Sequence, residues 1–165
     1  MKKKILVLFS QEWDLAELSR PELQREFEFL FEGFDLFRFP DNARLFTFDA
    51  RRFIHRLLRK YRRAGLHGVI SSNDQFGALI AAEAGRLLHL PGTDPHAVVL
   101  AQHKYYSRRA QRAIAPEATA RFFAFPFDLD DPARMELPFP FFVKPVKATF
   151  SVLARRVEDF EDLRR

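Results

Sequence analysis

Apolar positions along this chain follow one rhythm up to about residue 90 and another after it. Lys3 to Ser10 holds a continuous apolar run, Ile5 to Phe9, of the kind shown by a strand buried on both faces. "SRPE" at 19–22 is a capping box: Ser19 caps, Pro21 suits the first turn, and Glu22 reaches back. Leu23, Phe27, Leu30 and Phe31 then recur at helical spacing and predict a helix ended by Gly33. Phe34 to Phe39 predicts a short strand stopped by Pro40. Residues 50–65, "ARRFIHRLLRKYRRAG", predict a helix capped by Asp49 and stopped by Gly65, with Phe53, Ile54, Leu57, Leu58 and Tyr61 as its apolar stripe. Gly68 to Ser71 reads as a third strand. The next helix is expected to start near Ser72, with Ser72 and Gln75 as a capping box and Phe76, Leu79, Ile80, Ala84 and Leu87 facing inward.

Strands alternating with helices imply an α/β fold, here a Rossmann-like parallel sheet covered by helices on both faces. Ligands of such sheets bind at the carboxyl ends of the strands. "SSND" ends the third strand, which makes Ser71, Ser72, Asn73 and Asp74 candidates to face a substrate, with helix capping as the simpler alternative. At "LPGTDP", residues 90–95, a Pro-Gly turn precedes a helix capped by Thr93 or Asp94. One helical stretch, 96–114, is expected next, then a Pro- and Asp-rich connector, the apolar strand Phe141 to Val143, and a closing strand and helix that begins near Glu158 or Asp159. The reading is therefore an α/β domain over 1–93 and a small α+β subdomain over 94–165.

Composition narrows the chemistry. The 165 residues contain no cysteine, which excludes a disulfide framework, thiol catalysis and Cys-ligated zinc and fits a cytoplasmic protein. The apolar start is too short for a signal peptide, and no stretch approaches the ~20 residues of a membrane span. Histidines 55, 67, 89, 96 and 103 form no His-x-x-His or Glu-x-x-His pair, so no metal site is expected. Six glycines include no phosphate-cradling pattern. Most of the excess behind the net charge of +5 sits in one stretch, at Arg51, Arg52, Arg56, Arg59, Lys60, Arg62 and Arg63. A solvated face is the ordinary meaning of such a cluster, and nucleic-acid contact is not expected.

Lysines remain. Pro145 forces Lys144 into the extended region, so the strand delivers its ammonium to a defined place on the same face as Phe142. Such a group suits polyphosphate oxygens, although a strand-end lysine reaching for water has the same pattern. Lys104 and Arg108 lie one helical turn apart on an earlier helix.

Three stretches together resemble the front part of an ATP-grasp ligase. "GVISSNDQFGALIAAEAGRLLHLPG" resembles the family's pre-ATP-grasp segment ending in a Leu-Pro-Gly turn. "QHKYYSRR" resembles its Asp-Lys-x-x-x-Arg, with His103 where aspartate is common. "FPFFVKPVKATFSVLARRVEDFEDL" resembles the strand bearing the second ATP-binding lysine, the phosphate loop, and the strand and helix beyond. The resemblance implies that Lys104, Arg108 and Lys144 hold the phosphates of ATP. It implies Mg2+ beside them, with its ligands on a second lobe. It also implies a small carboxylate substrate that becomes an acylphosphate and then meets an amine. Because such enzymes are often dimers, a homodimer is implied too. The family's loop is glycine-rich, whereas "VKATFS" has no glycine, so Lys147, Thr149 and Ser151 would supply side-chain donors instead. The second lobe is expected beyond Arg165, and these residues alone are expected to be inactive. A non-catalytic, degenerate ATP-grasp-like module acting in protein interaction is the alternative.

Overall fold

The computed structural model describes residues 1–125, 134–148 and 151–164. The chain is α/β, and it divides into two compact units, 1–99 and 100–165. The first is built on a three-stranded parallel sheet of order β2-β1-β3, where β1 is Lys3–Leu8, β2 Phe27–Glu32 and β3 Leu66–Ile70. The central strand pairs with β2 from Lys3↔Phe27 to Leu8↔Glu32 and with β3 from Ile5↔Gly68 to Val7↔Ile70. Paired on both edges, it buries both faces: Leu6, Val7 and Leu8 are at most 2% exposed. That is why its apolar run does not alternate.

Two expected elements are replaced. Residues 27–32, expected within a helix, form strand β2, and the expected strand Phe34–Phe39 is a loop. The helix before β2 is only α2, Pro21–Glu26, and it follows a helix that the pattern did not announce, α1, Glu12–Leu18. "FEFLFE" carries a period of two as well as helical spacing, and the free edge of β1 selects the former. Phe27 and Phe29 then lie on one side of the strand with their rings stacked 5.8 Å apart. Past Gly33, Asp35 Oδ1 accepts the N–H groups of Phe37 (2.8 Å) and Arg38 (3.2 Å), turning the chain where a strand was expected. Ser19 does not cap α2; its hydroxyl donates back to the Leu15 carbonyl at 2.6 Å.

The core joins the sheet to α3 (Ala50–Tyr61) and α4 (Phe76–Leu87). Leu6 and Leu8 meet Phe53, Leu57 and Tyr61 of α3 and Ile80, Ala81 and Ala84 of α4 in one buried cluster. Its centre is Phe9, fully buried at φ 56, whose ring lies 5.2–5.8 Å from those of Phe34, Phe48, Phe53 and Phe76. Asp49 caps α3 as expected, its Oδ1 accepting the Arg52 N–H at 3.0 Å.

Glu32, at the end of β2, ties the sheet to the outer side of α3. It accepts from Lys60 Nζ at 2.6 Å and Tyr61 Oη at 2.9 Å, with Arg56 at 3.8 Å. Burial pulls its pKa upward, but those hydrogen bonds and the two cations outweigh it and hold the carboxyl below its ordinary value.

The boundary between the two units falls within α5, Pro95–Gln102, capped by Asp94, which accepts the His96 N–H at 2.8 Å. The single helix expected over 96–114 is broken at His103, and α6 runs from Lys104 to Ile114. His103 Nδ1 accepts the Tyr106 N–H at 3.4 Å as the new helix's cap. Strand β4 (Phe141–Val143) pairs antiparallel with β5 (Arg155–Val157), Phe141 opposite Val157. A short helix, α7 (Phe160–Leu163), follows, capped by Asp159 and bound at its far end by Arg155, which pairs with Asp162 at 3.0 Å.

Candidate functional site

Each unit carries one candidate. In unit 1 it lies where β1 and β3 end. Ser71 Oγ donates to the Leu8 carbonyl at 2.8 Å, tying the two strand ends together. Ser72 Oγ donates to Asp14 Oδ2 at 2.7 Å, and the same oxygen accepts the Gln11 N–H at 2.8 Å. Asn73 is 7% exposed, and its Oδ1 accepts the Gly77 N–H at 2.8 Å. This bond, not the capping box expected of Ser72 and Gln75, serves the start of α4, which begins at Phe76 with Gln75 at the N-cap position and no capping bond from its side chain. Gly77 must be a glycine here: a Cβ would run into Ser71 Oγ and come within 3.0 Å of Asn73 Cβ.

Of the four expected ligand-facing residues, Ser71 and Asn73 are therefore committed to the scaffold, while Ser72 and Asp74 are exposed on the same loop. Sequence reasoning missed Gln11 and Asp14. Their signal was available, since "SQEWD" follows a buried parallel strand at the end where ligands bind. Gln11 is 3% exposed, and its Oε1 has no partner among the described residues.

In unit 2 the lysines gather around the turn after β4. Lys104 is the first residue of α6, where the helix leaves backbone N–H groups without intrahelical partners. Its N–H donates to the Val146 carbonyl at 3.0 Å, and its ammonium donates to the Ala148 carbonyl at 2.9 Å. Lys104 and the segment following Lys144 are thus brought together, although they are 40 residues apart in sequence. Lys144 is exposed, with its ammonium 5.6 Å from the centre of the Phe142 ring on the face expected for it. Arg108 turns to its own helix instead, donating to Gln111 Oε1 at 2.7 Å. Lys147 is exposed. Thr149 lies outside the described residues. Ser151 and Leu153 sit at φ 56 and 57, so the glycine-free loop adopts at these positions the backbone conformation that glycine adopts most readily.

The lysines can neutralise an anion of several charges and donate hydrogen bonds to it. A metal finds no comparable site: among the described residues no group of three His, Cys, Asp or Glu is placed to hold one. No helix among them is long and apolar enough to cross a membrane.

No protein-family model matches the chain, and no curated protein matches it in sequence. Among solved structures it matches the L-amino acid ligase from Bacillus licheniformis with a TM-score of 0.65 at 18% identity. The match covers 98% of this chain and 40% of the ligase. At that identity the likeness is one of fold, and it runs through both units.

Proposed function

We propose that this chain is part of an ATP-dependent carboxylate–amine ligase of the ATP-grasp type. One observation carries the reading: a fold shared over 98% of the chain with an L-amino acid ligase. The Lys104 contacts with the turn after β4 support it, because they set the two motifs compared with the family's lysine motifs beside each other. In this reading Lys104 and Lys144 bind the phosphates, with Lys147 and Ser151 along the loop and Arg108 supporting after leaving Gln111. A carboxylate oxygen of the substrate attacks the γ-phosphorus and ADP leaves. The amine nitrogen then attacks the acyl carbon, loses its proton and expels phosphate. The lysines' share is to balance charge on the transferring group. Ser72, whose hydroxyl donates to Asp14, and the exposed Asp74 are the unit 1 candidates to face a polar substrate. Magnesium belongs to the family's chemistry, but the residues described here do not fit a magnesium site, and no step is assigned to one.

The test is phosphate release from ATP by the protein in the full length its gene encodes, with a panel of free amino acids. Release that requires an amino acid is expected. Release that ignores every amino acid and amine would overturn the assignment. The second reading, a non-catalytic module, has its own observation: the Lys104 ammonium is already engaged by the Ala148 carbonyl, in a loop without glycine. Under that reading nucleotide does not bind at all.

A further inference from the structure

The outer face of α3 and the turn after it has a charge pattern that the ligase reading does not use. Arg51, Arg52, Arg56, Arg59, Lys60, Arg62 and Arg63 are all exposed, and no acidic residue occurs between Asp49 and Asp74. The whole chain has 27 Lys and Arg against 22 Asp and Glu; without these seven the balance turns slightly acidic. These seven cations more than account for the net charge of +5, and they lie on one helix and the turn after it. Its counter-charges stand at the edges, Asp49 at 3.5 Å from Arg52 and Glu32 beside Lys60 and Arg56. Arg51, Arg59, Arg62 and Arg63 form no ion pair among the described residues.

Solvation alone does not call for such a face. A water-facing helix gains about 0.2–0.5 kcal/mol from each opposite-charge pair one turn apart and loses a similar amount from each like pair. Arg52 with Arg56, Arg56 with Arg59 and Arg56 with Lys60 are like pairs within α3, so the helix bears a cost that alternating Glu and Lys would avoid. The face also indicates its partner. Protein interfaces centre on apolar or aromatic side chains, and membrane-surface helices insert theirs. Here Phe53, Leu57 and Tyr61 of α3 are at most 7% exposed and spent on the core, and Ile54 and Leu58 beside them are half-buried. What remains is charge without an apolar centre, which suits the phosphate backbone of a nucleic acid.

We infer that the arginine face of α3 binds the phosphate backbone of RNA or DNA without regard to sequence. The inference is independent of the ligase reading. The experiment measures binding of short labelled RNA and DNA duplexes to this chain by fluorescence anisotropy. If the four unpaired arginines each neutralise a phosphate, affinity falls roughly 150-fold between about 50 and about 200 mM salt. Replacing Arg51, Arg59, Arg62 and Arg63 by Gln should abolish most of the low-salt binding and flatten that dependence, with the thermal melt unchanged. Replacing Arg25, Arg109, Arg112 and Arg121 by Gln removes as many charges elsewhere and should cost far less. The inference is overturned by an absence of binding at low salt or by equal losses in the two variants. Tighter binding to poly-glutamate or phosphatidylserine vesicles would overturn it too, by pointing to an acidic protein or a membrane surface.

Discussion

In unit 1 the side chains of Leu6, Leu8, Phe9, Leu57 and Ala84 are wholly removed from water, whereas in unit 2 Val157 is the one apolar side chain so buried among the described residues. The polar groups differ in the same sense. Ser71, Asn73 and Glu32 in unit 1 are half-buried or better, Ser71 and Glu32 each joining two elements and Asn73 fixing the start of α4, while Lys104, Lys144 and Lys147 in unit 2 are exposed. Unit 1 is a platform fixed by its core; unit 2 buries less apolar side chain and is held more by hydrogen bonds and ion pairs, the long-range Lys104 contacts among them, so opening costs less free energy there. An exposed ammonium stays available to a multiply charged ligand, and a turn held by two carbonyl contacts can be moved by one.

The comparison breaks most visibly at Phe9. Phe9→Ala should cost about 3–5 kcal/mol in urea unfolding, because it empties the centre of the aromatic cluster. A loss under about 1 kcal/mol would mean that the unit is not centred on this ring. Next comes the scaffold role of Asn73: Asn73→Ala should cost about 1–2 kcal/mol by leaving the Gly77 N–H without its acceptor. A ligand-only role would leave the melt unchanged.

Glu32 sharpens the comparison through pH. Its folded pKa is held below the ordinary carboxylate value, so its stabilisation is complete above that value and is lost as pH falls through the folded pKa. Glu32→Gln should therefore lower stability by roughly 1 kcal/mol at neutral pH, the gap to the parent closing in acid. A gap that persists in acid would show that shape, not charge, is at stake. The smallest effect belongs to unit 2. Lys104→Met removes one hydrogen bond to Ala148 and should speed trypsin cleavage after Lys147 about fivefold, as loss of about 1 kcal/mol would. The melt of unit 1 should not move, and an unchanged cleavage rate would show that Lys104 does not hold the turn.

What could be read from sequence follows the same division of forces. β1, α3 and α4 were legible because each has one apolar pattern and the core enforces it. β2 was not, since "FEFLFE" satisfies both periods and only the pairing with β1 decides. The loop at 34–39 was hidden behind phenylalanines, of which Phe34 enters the core while Phe37 and Phe39 stay 55% and 80% exposed. At the site, Lys144 and its face were legible from Pro145 and the strand pattern. The Lys104 contacts were not, because backbone carbonyls such as those of Val146 and Ala148 leave no mark in side-chain identity. Asn73, not Ser72, serves the start of α4 because Asp14 engages the Ser72 hydroxyl, a contact across 58 residues that no local pattern encodes.

The central claim, that the lysines of unit 2 hold a nucleotide, is tested most directly by calorimetric titration of Mg-ATP into the full-length protein and its Lys144→Ala variant. The account predicts binding by the wild type and an affinity lower by about 10- to 100-fold in the variant, as loss of a charge-assisted hydrogen bond implies. Equal affinity in the two proteins, or no heat of binding in the wild type, would contradict it.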